Sequence, residues 1–184
     1  MKREEALKLL ESKVKTVNLI KHSLAVEATM KELAQYFAED EEKWALTGLL
    51  HDIDYEETKD KPEEHSLKGA QFLQSQGMGK DITEAIKTHN ERHGLGPQSK
   101  MAKSLFCVDP LTGLIVAATL VLPSKKIQDL TTENVLNRFK EKGFAKGAKR
   151  EIIEQCTSLL GLSLEEFVTI VLRGMQKISQ ELGL

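Results

Sequence analysis

Cysteine is almost missing from this sequence. Cys107 and Cys156 are the only two in 184 residues. They form no disulfide framework, and their separation matches neither a zinc site nor a CxxC motif. A reducing, cytoplasmic setting is therefore expected. Proline is scarce as well, with four residues, and no alternating strand pattern or hairpin signal stands out. Charge of one sign is not in excess. Lys+Arg 26 against Asp+Glu 28 leaves −2, so no bulk field favours nucleic acid or an anionic membrane. Neither is expected as a partner. The longest mostly apolar run, 111–122, is too short to span a bilayer, and extending it backwards meets Asp109 and Pro110. The first ten residues, MKREEALKLL, lack the apolar stretch of a secretory signal. There are no repeats, low-complexity segments or obvious linkers. What is left is one soluble domain over 1–184, long enough to bury a core.

What the chain does have is helical periodicity nearly throughout. The spacing predicts a first helix over 4–14, with Leu7, Leu10 and Val14 on one face. A second runs over 18–37, with Asn18 as its cap. Asp40 caps a third that ends at His51–Asp52. Residues 54–62 read as a loop. A fourth helix spans 63–76 and closes at Gly77. Asp81 with Glu84 suggests a capping box for a fifth, running to about residue 90. The loop HGLGPQ follows at 93–98. Pro110 should end or kink a helix at Asp109 within the apolar stretch 99–122. Beyond Pro123, helices are expected over 131–142 and 147–160. Ser163 and Glu166 form a box before a last helix over 164–182. The fold class is all-α, with the core ligands within 18–122 and a C-terminal helical part at 123–184.

The stretch WALTGLLHDIDY, 44–55, organises the rest. Its apolar residues sit at helical spacing and deliver His51 and Asp52 side by side. An imidazole and a carboxylate at the end of a buried helix are costly unless paired, hydrogen-bonded or metal-bound. Three further histidines, His22, His65 and His89, fall on other predicted helices, and Asp109 stands isolated in the apolar segment. Histidine and carboxylate donors projecting inward from facing helices suit a divalent metal. His93 sits in a glycine-rich loop and is left outside this set.

The order H…HD…H…H…D, with surroundings LLHDID, HSLKGA and VDPLTGLIVA, resembles the HD superfamily of metal-dependent phosphohydrolases, in the manner of its small HDIG-like hydrolases. The resemblance implies a helical HD bundle and one metal held by His22, His51, Asp52 and Asp109. Relatives that use two intervening histidines hold a second metal, which here adds His65 and His89, with Asp52 bridging. One or two divalent ions are implied; iron, manganese, zinc, nickel, cobalt and magnesium are not distinguished. Asp54 stands where the HDIG variant has glycine. Asn90 follows His89 where cyclic-dinucleotide hydrolases carry a second histidine, and their GYP motif is absent.

The implied activity is hydrolysis of a phosphate ester, with nucleotides among the candidates, by metal-activated water, with Asp52, His65 and His89 as catalytic residues. The same six residues resemble the ligand set of the di-iron oxygenases of this fold. A non-catalytic metal- or ligand-binding module is the third reading. The substrate would be a small phosphorylated molecule or nucleotide, and oligomeric state is left open. The basic residues Lys140, Lys142, Lys146, Lys149 and Arg150 read either as a solvated helix face or as a phosphate-binding lobe around a helix start at Gly147.

Overall fold

Apolar residues recurring every three or four positions fold the chain into helices alone. The computed structural model describes all residues, Met1–Leu184. In order, the helices are α1 (Arg3–Lys13), α2 (Val17–Phe37), α3 (Glu41–Leu50), α4 (Tyr55–Thr58), α5 (Leu67–Ser75), α6 (Lys80–Thr88), α7 (Lys100–Leu120), α8 (Thr132–Lys140), α9 (Arg150–Ile153), α10 (Cys156–Leu160), α11 (Leu164–Lys177) and α12 (Ser179–Leu182). Single 3-10 turns lie at Glu91–His93 and Ile127–Asp129. The all-α expectation holds.

Helix α2 is the axle, packing against α3 on one side, α11 on another and α7 on a third. Val26, Met30 and Leu33 from α2, Leu49 and Leu50 from α3, Leu105 and Leu111 from α7 and Phe167 and Val171 from α11 are buried in one cluster. Close approach at the α2–α3 crossing needs Gly48. A Cβ there would stand 2.7 Å from the Val26 carbonyl oxygen and 2.9 Å from the Glu27 nitrogen. Gly48→Ala sets about 1 kcal/mol of helix propensity against an overpacking cost of about 1–3 kcal/mol. The obstacle is backbone, which cannot rotate aside, so the steric cost wins. The variant should lose up to about 2 kcal/mol in denaturant unfolding. A midpoint equal to wild type would show that the two helices part freely.

Several boundaries differ from the sequence expectation, each for a local reason. Thr16, not Asn18, caps α2, and its N–H donates to the Glu56 carboxylate at 2.6 Å. Residues 55–58 of the expected loop form α4. The helix expected over 63–76 begins only at Leu67, because buried Ser66 takes φ 70° and its hydroxyl donates to the Lys87 carbonyl at 3.0 Å. Gly79 caps α6, and Asp81 makes an ion pair with Lys43 at 2.7 Å instead of a capping box. Residues 147–149 are not helical, so no long helix begins at Gly147. The last helix divides at Ile178.

Helix α7 does not end at Asp109; it runs through Pro110 for another ten residues. Proline costs about 3 kcal/mol inside a helix. Burying each of Leu105, Leu111 and Leu114 contributes roughly 1.5–3 kcal/mol, so packing on both sides of the proline outweighs the lost hydrogen bond. On length and composition α7 is apolar enough to cross a membrane, contrary to the reading of 111–122 alone. Burial of 67% of that window inside the protein accounts for its composition.

Candidate metal centre

Five elements deliver the six sequence-predicted residues to one place. His22 lies in the second turn of α2. His51 directly follows α3 and Asp52 comes next, in a turn whose amides are not committed to a continuing helix. His89 directly follows α6, and Asp109 sits mid-way along α7. His65 lies in the turn before α5, not on the helix expected for it.

The donor atoms face one another. His22 Nε2 is 3.2 Å from His51 Nε2 and 3.0 Å from Asp109 Oδ1. Asp52 sits between two groups of imidazoles. Its Oδ2 is 3.4 Å from His51 Nε2 and 3.6 Å from His22 Nε2. Its Oδ1 is 3.3 Å from His65 Nε2 and 3.4 Å from His89 Nε2. His22, His51 and Asp109 form one group that could hold an ion, and His51, Asp52 and His89 form another.

Tautomers decide whether this is a donor set or a network of mutual hydrogen bonds. The Nδ1–H of His51 donates to the Gly48 carbonyl at 2.8 Å, and that of His89 to the Ile86 carbonyl at 2.6 Å. His65 Nδ1–H donates to the Asp54 carboxylate at 2.9 Å. Thr112 commits its hydroxyl proton to the Asp109 carbonyl at 2.9 Å, so it accepts from His22 Nδ1 at 3.2 Å. All four rings therefore have Nδ1 tied off and turn Nε2 inward, as metal-binding imidazoles with fixed outer partners do. Four such nitrogens and two carboxylates fit a divalent first-row ion.

The electrostatics are those of a site built for positive charge. Burial alone would depress the His51 imidazolium, but Asp52 and Asp109 outweigh it and hold its pKa well above 6.5. Burial works against the Asp52 carboxylate, yet His51, His65 and His89 hold it well below the carboxylate range. Asp109 is held low in the same way by His22 and His51, against its burial. His65 is pushed down by burial and up by Asp52 and Asp54, ending at about 9.

This sets a pH dependence for the chelated protein. The folded value for His65 lies above its unfolded 6.5. Its stabilising contribution is thus complete below about pH 6.5 and is lost as pH rises through about 9. Metal binding needs neutral imidazoles, so it should tighten over the same interval and release protons. Calorimetry on chelated protein should show Tm falling from pH 6.5 to 9, while a competing chelator dye reports stronger metal binding. A Tm that rises over that window would contradict the assignment.

Three further residues support the donor set; Asp54 and Asn90 stood out in the sequence only as departures from related motifs, and Thr112 not at all. Asp54 also accepts from the Gly69 N–H at 2.8 Å and so fixes His65 to α5. It stands two positions after Asp52, on the same turn. Thr112 lies one helical turn after Asp109, the spacing that puts two side chains on one face. Asn90 is no ligand: its amide donates to the carbonyls of Pro62 and His65 at 3.1 and 3.2 Å, and its oxygen accepts from Arg92 N–H. His93 stays outside the donor set, bonded to the His65 carbonyl at 2.7 Å.

The family model for the HD domain matches residues 19–113, just over half of the chain and all six positions. The chain belongs to the HD-domain family. HD domains bind divalent metals, and here His and Asp groups are placed where one could sit. Similar proteins include Ribonuclease Y of Nitratidesulfovibrio vulgaris (strain DP4), 33% identical over 140 residues, and Ribonuclease Y of Oleidesulfovibrio alaskensis, 32% identical over 140. Each alignment covers 73% of this chain and 26% of the relative. Ribonuclease Y of Lawsonia intracellularis is 29% identical over 140 residues, covering 74% of this chain and 27% of the relative. The chain thus spans about a quarter of the length of these relatives. No solved structure matches it.

The HD-domain centre opens to solvent through a cleft of about 410 Å³ bordered by Tyr55, His65, Asn90, Arg92, Asp109 and Lys149. A second cleft of about 370 Å³ adjoins it along α7 and residues 145–149. Of the basic segment, Lys149 alone borders the site.

Proposed function

We propose that this HD domain is a metal-dependent phosphohydrolase, cleaving a phosphate ester at a centre of two divalent ions. The observation that carries the reading is the division of Asp52. One carboxylate oxygen faces His22 and His51, the other faces His65 and His89. A carboxylate so placed can serve two ions at once. His22, His51, Asp52 and Asp109 would hold the first, and Asp52, His65 and His89 the second. The ions would supply Lewis-acid polarisation of the phosphoryl oxygen and acidification of the attacking water.

The protein's own contribution is preorganisation. Gly48, Ile86, Asp54 and Thr112 hold the four rings with Nε2 turned inward, so no ring has to reorient before a cation or substrate arrives. The buried floor behind His51 excludes water from all but the cleft side. His65 and His89 border the cleft together with His22 and Asp109. We read residues 1–184 as one such unit in a reducing cytoplasmic setting, with both thiols free and buried.

The near-neutral charge gave no reason to expect nucleic acid. With relatives named Ribonuclease Y, that exclusion is withdrawn, and RNA belongs beside nucleotides and small esters among candidate substrates. The test is metal analysis of protein purified without added metal, then a hydrolysis screen across phosphomonoesters, nucleotides and RNA. Metal-dependent release of phosphate or cleavage of RNA is expected. No hydrolysis with any ion, or an iron-only centre with substrate-dependent oxygen uptake, would overturn the reading.

A further inference from the structure

The basic segment after α8 is not a solvated helix face. Its centre is Arg150, whose guanidinium is spent entirely on backbone carbonyls. Nη1 donates to Ala145 and Ala148 at 2.8 Å each, Nη2 to Phe144 at 2.5 Å and Nε to Phe139 at 3.3 Å. Ala145 takes φ 42°, so the segment doubles back on itself. Five donors fixed in a fork make a rigid clamp. What this clamp positions is the next residue back, Lys149.

Lys149 is half-exposed, borders both clefts that open on His22, His89 and Asp109, and is ion-paired with Glu91, two residues beyond His89. It lies outside the family-matched span, 19–113, so the family match does not account for it. A carboxylate at the mouth of a centre that receives an anion would repel it unless neutralised. An ammonium there is a compact point charge suited to a phosphate oxygen. Because both partners reach solvent, their pair is weakly held and open to exchange.

We infer that Lys149 binds a non-bridging oxygen of the substrate's phosphate, and that Glu91 is its internal stand-in, displaced when phosphate arrives. This rests on the phosphohydrolase reading. It assigns the substrate an ionised phosphate oxygen beyond those turned to the metal centre. Lys149 is thus a binding residue supplied by the C-terminal helices.

The probe is inorganic phosphate, titrated calorimetrically into the whole chain with and without added Mn²⁺. Lys149→Met should weaken phosphate binding about tenfold or more, with metal content and Tm unchanged. Glu91→Gln should tighten it, by about threefold, because the competing charge is gone. A merely structural pair would not move in opposite directions. Unchanged affinity in Lys149→Met, weakened affinity in Glu91→Gln, or no phosphate binding by wild type would each overturn the inference. Phosphate binding that depends on Lys149 in a protein that hydrolyses no ester would support the anchor and sink the hydrolase reading. Hydrolysis with normal KM in Lys149→Met would do the reverse.

Discussion

Asp52→Asn is expected to abolish metal binding and hydrolysis together. The change keeps the volume of a side chain that is buried among His51, His65 and His89, so the fold has little to adjust. It removes the one charge that faces both halves of the donor set. An amide offers a neutral oxygen to one half and an N–H donor to the other, where it opposes an imidazole nitrogen that should accept a cation. Losing the Lewis acid forfeits several kcal/mol of transition-state stabilisation, and about 4 kcal/mol corresponds to roughly 10³ in rate. Turnover should fall at least that far. Metal content by plasma emission spectroscopy should fall to near zero, with the circular dichroism unchanged. A variant with full metal content and near-normal turnover would mean that the centre lies elsewhere.

The donor set was legible in the sequence because its members are rare and ordered. Four histidines and two aspartates interrupt apolar faces at places where a buried polar group needs a reason. The helices were legible from periodicity, as were the caps at Asp40 and Ser163, where the capping side chain acts on its own neighbours. What could not be read is what depends on distant partners. Thr16 caps α2 because Glu56 reaches it from forty positions away. Ser66 breaks a periodic segment because Lys87 supplies an acceptor. Pro110 fails to break α7 because the core packs on both sides of it. Asp54 and Asn90 looked like departures from a motif. The first orients His65, and the second ties down the turn that carries it. Lys149 was visible only as one of several cations, since the clamp that selects it exists in three dimensions alone.

His89→Ala should lower the metal-to-protein ratio from two to one and leave the first ion in place. His89 is buried and approaches only one oxygen of Asp52, the one it shares with His65. It makes no contact with Asp109, whereas His22 and His51 do. Removing it takes one imidazole from the second group and none from the first. The cavity left costs stability too, about 2–3 kcal/mol for a buried side chain of this size, but the tautomers of His22 and His51 are fixed by Thr112 and Gly48, not by His89. Hydrolysis should fall by roughly 10²–10³, because in-line displacement then has one ion where two would flank the attacking and leaving oxygens. His22→Ala is the reciprocal control and should strip the first ion preferentially. The two variants together read out the division of Asp52 as a stoichiometry. A wild-type ratio of one that His89→Ala does not change would remove the second site and leave a one-metal enzyme, with His65 and His89 reassigned to contacts with the phosphate.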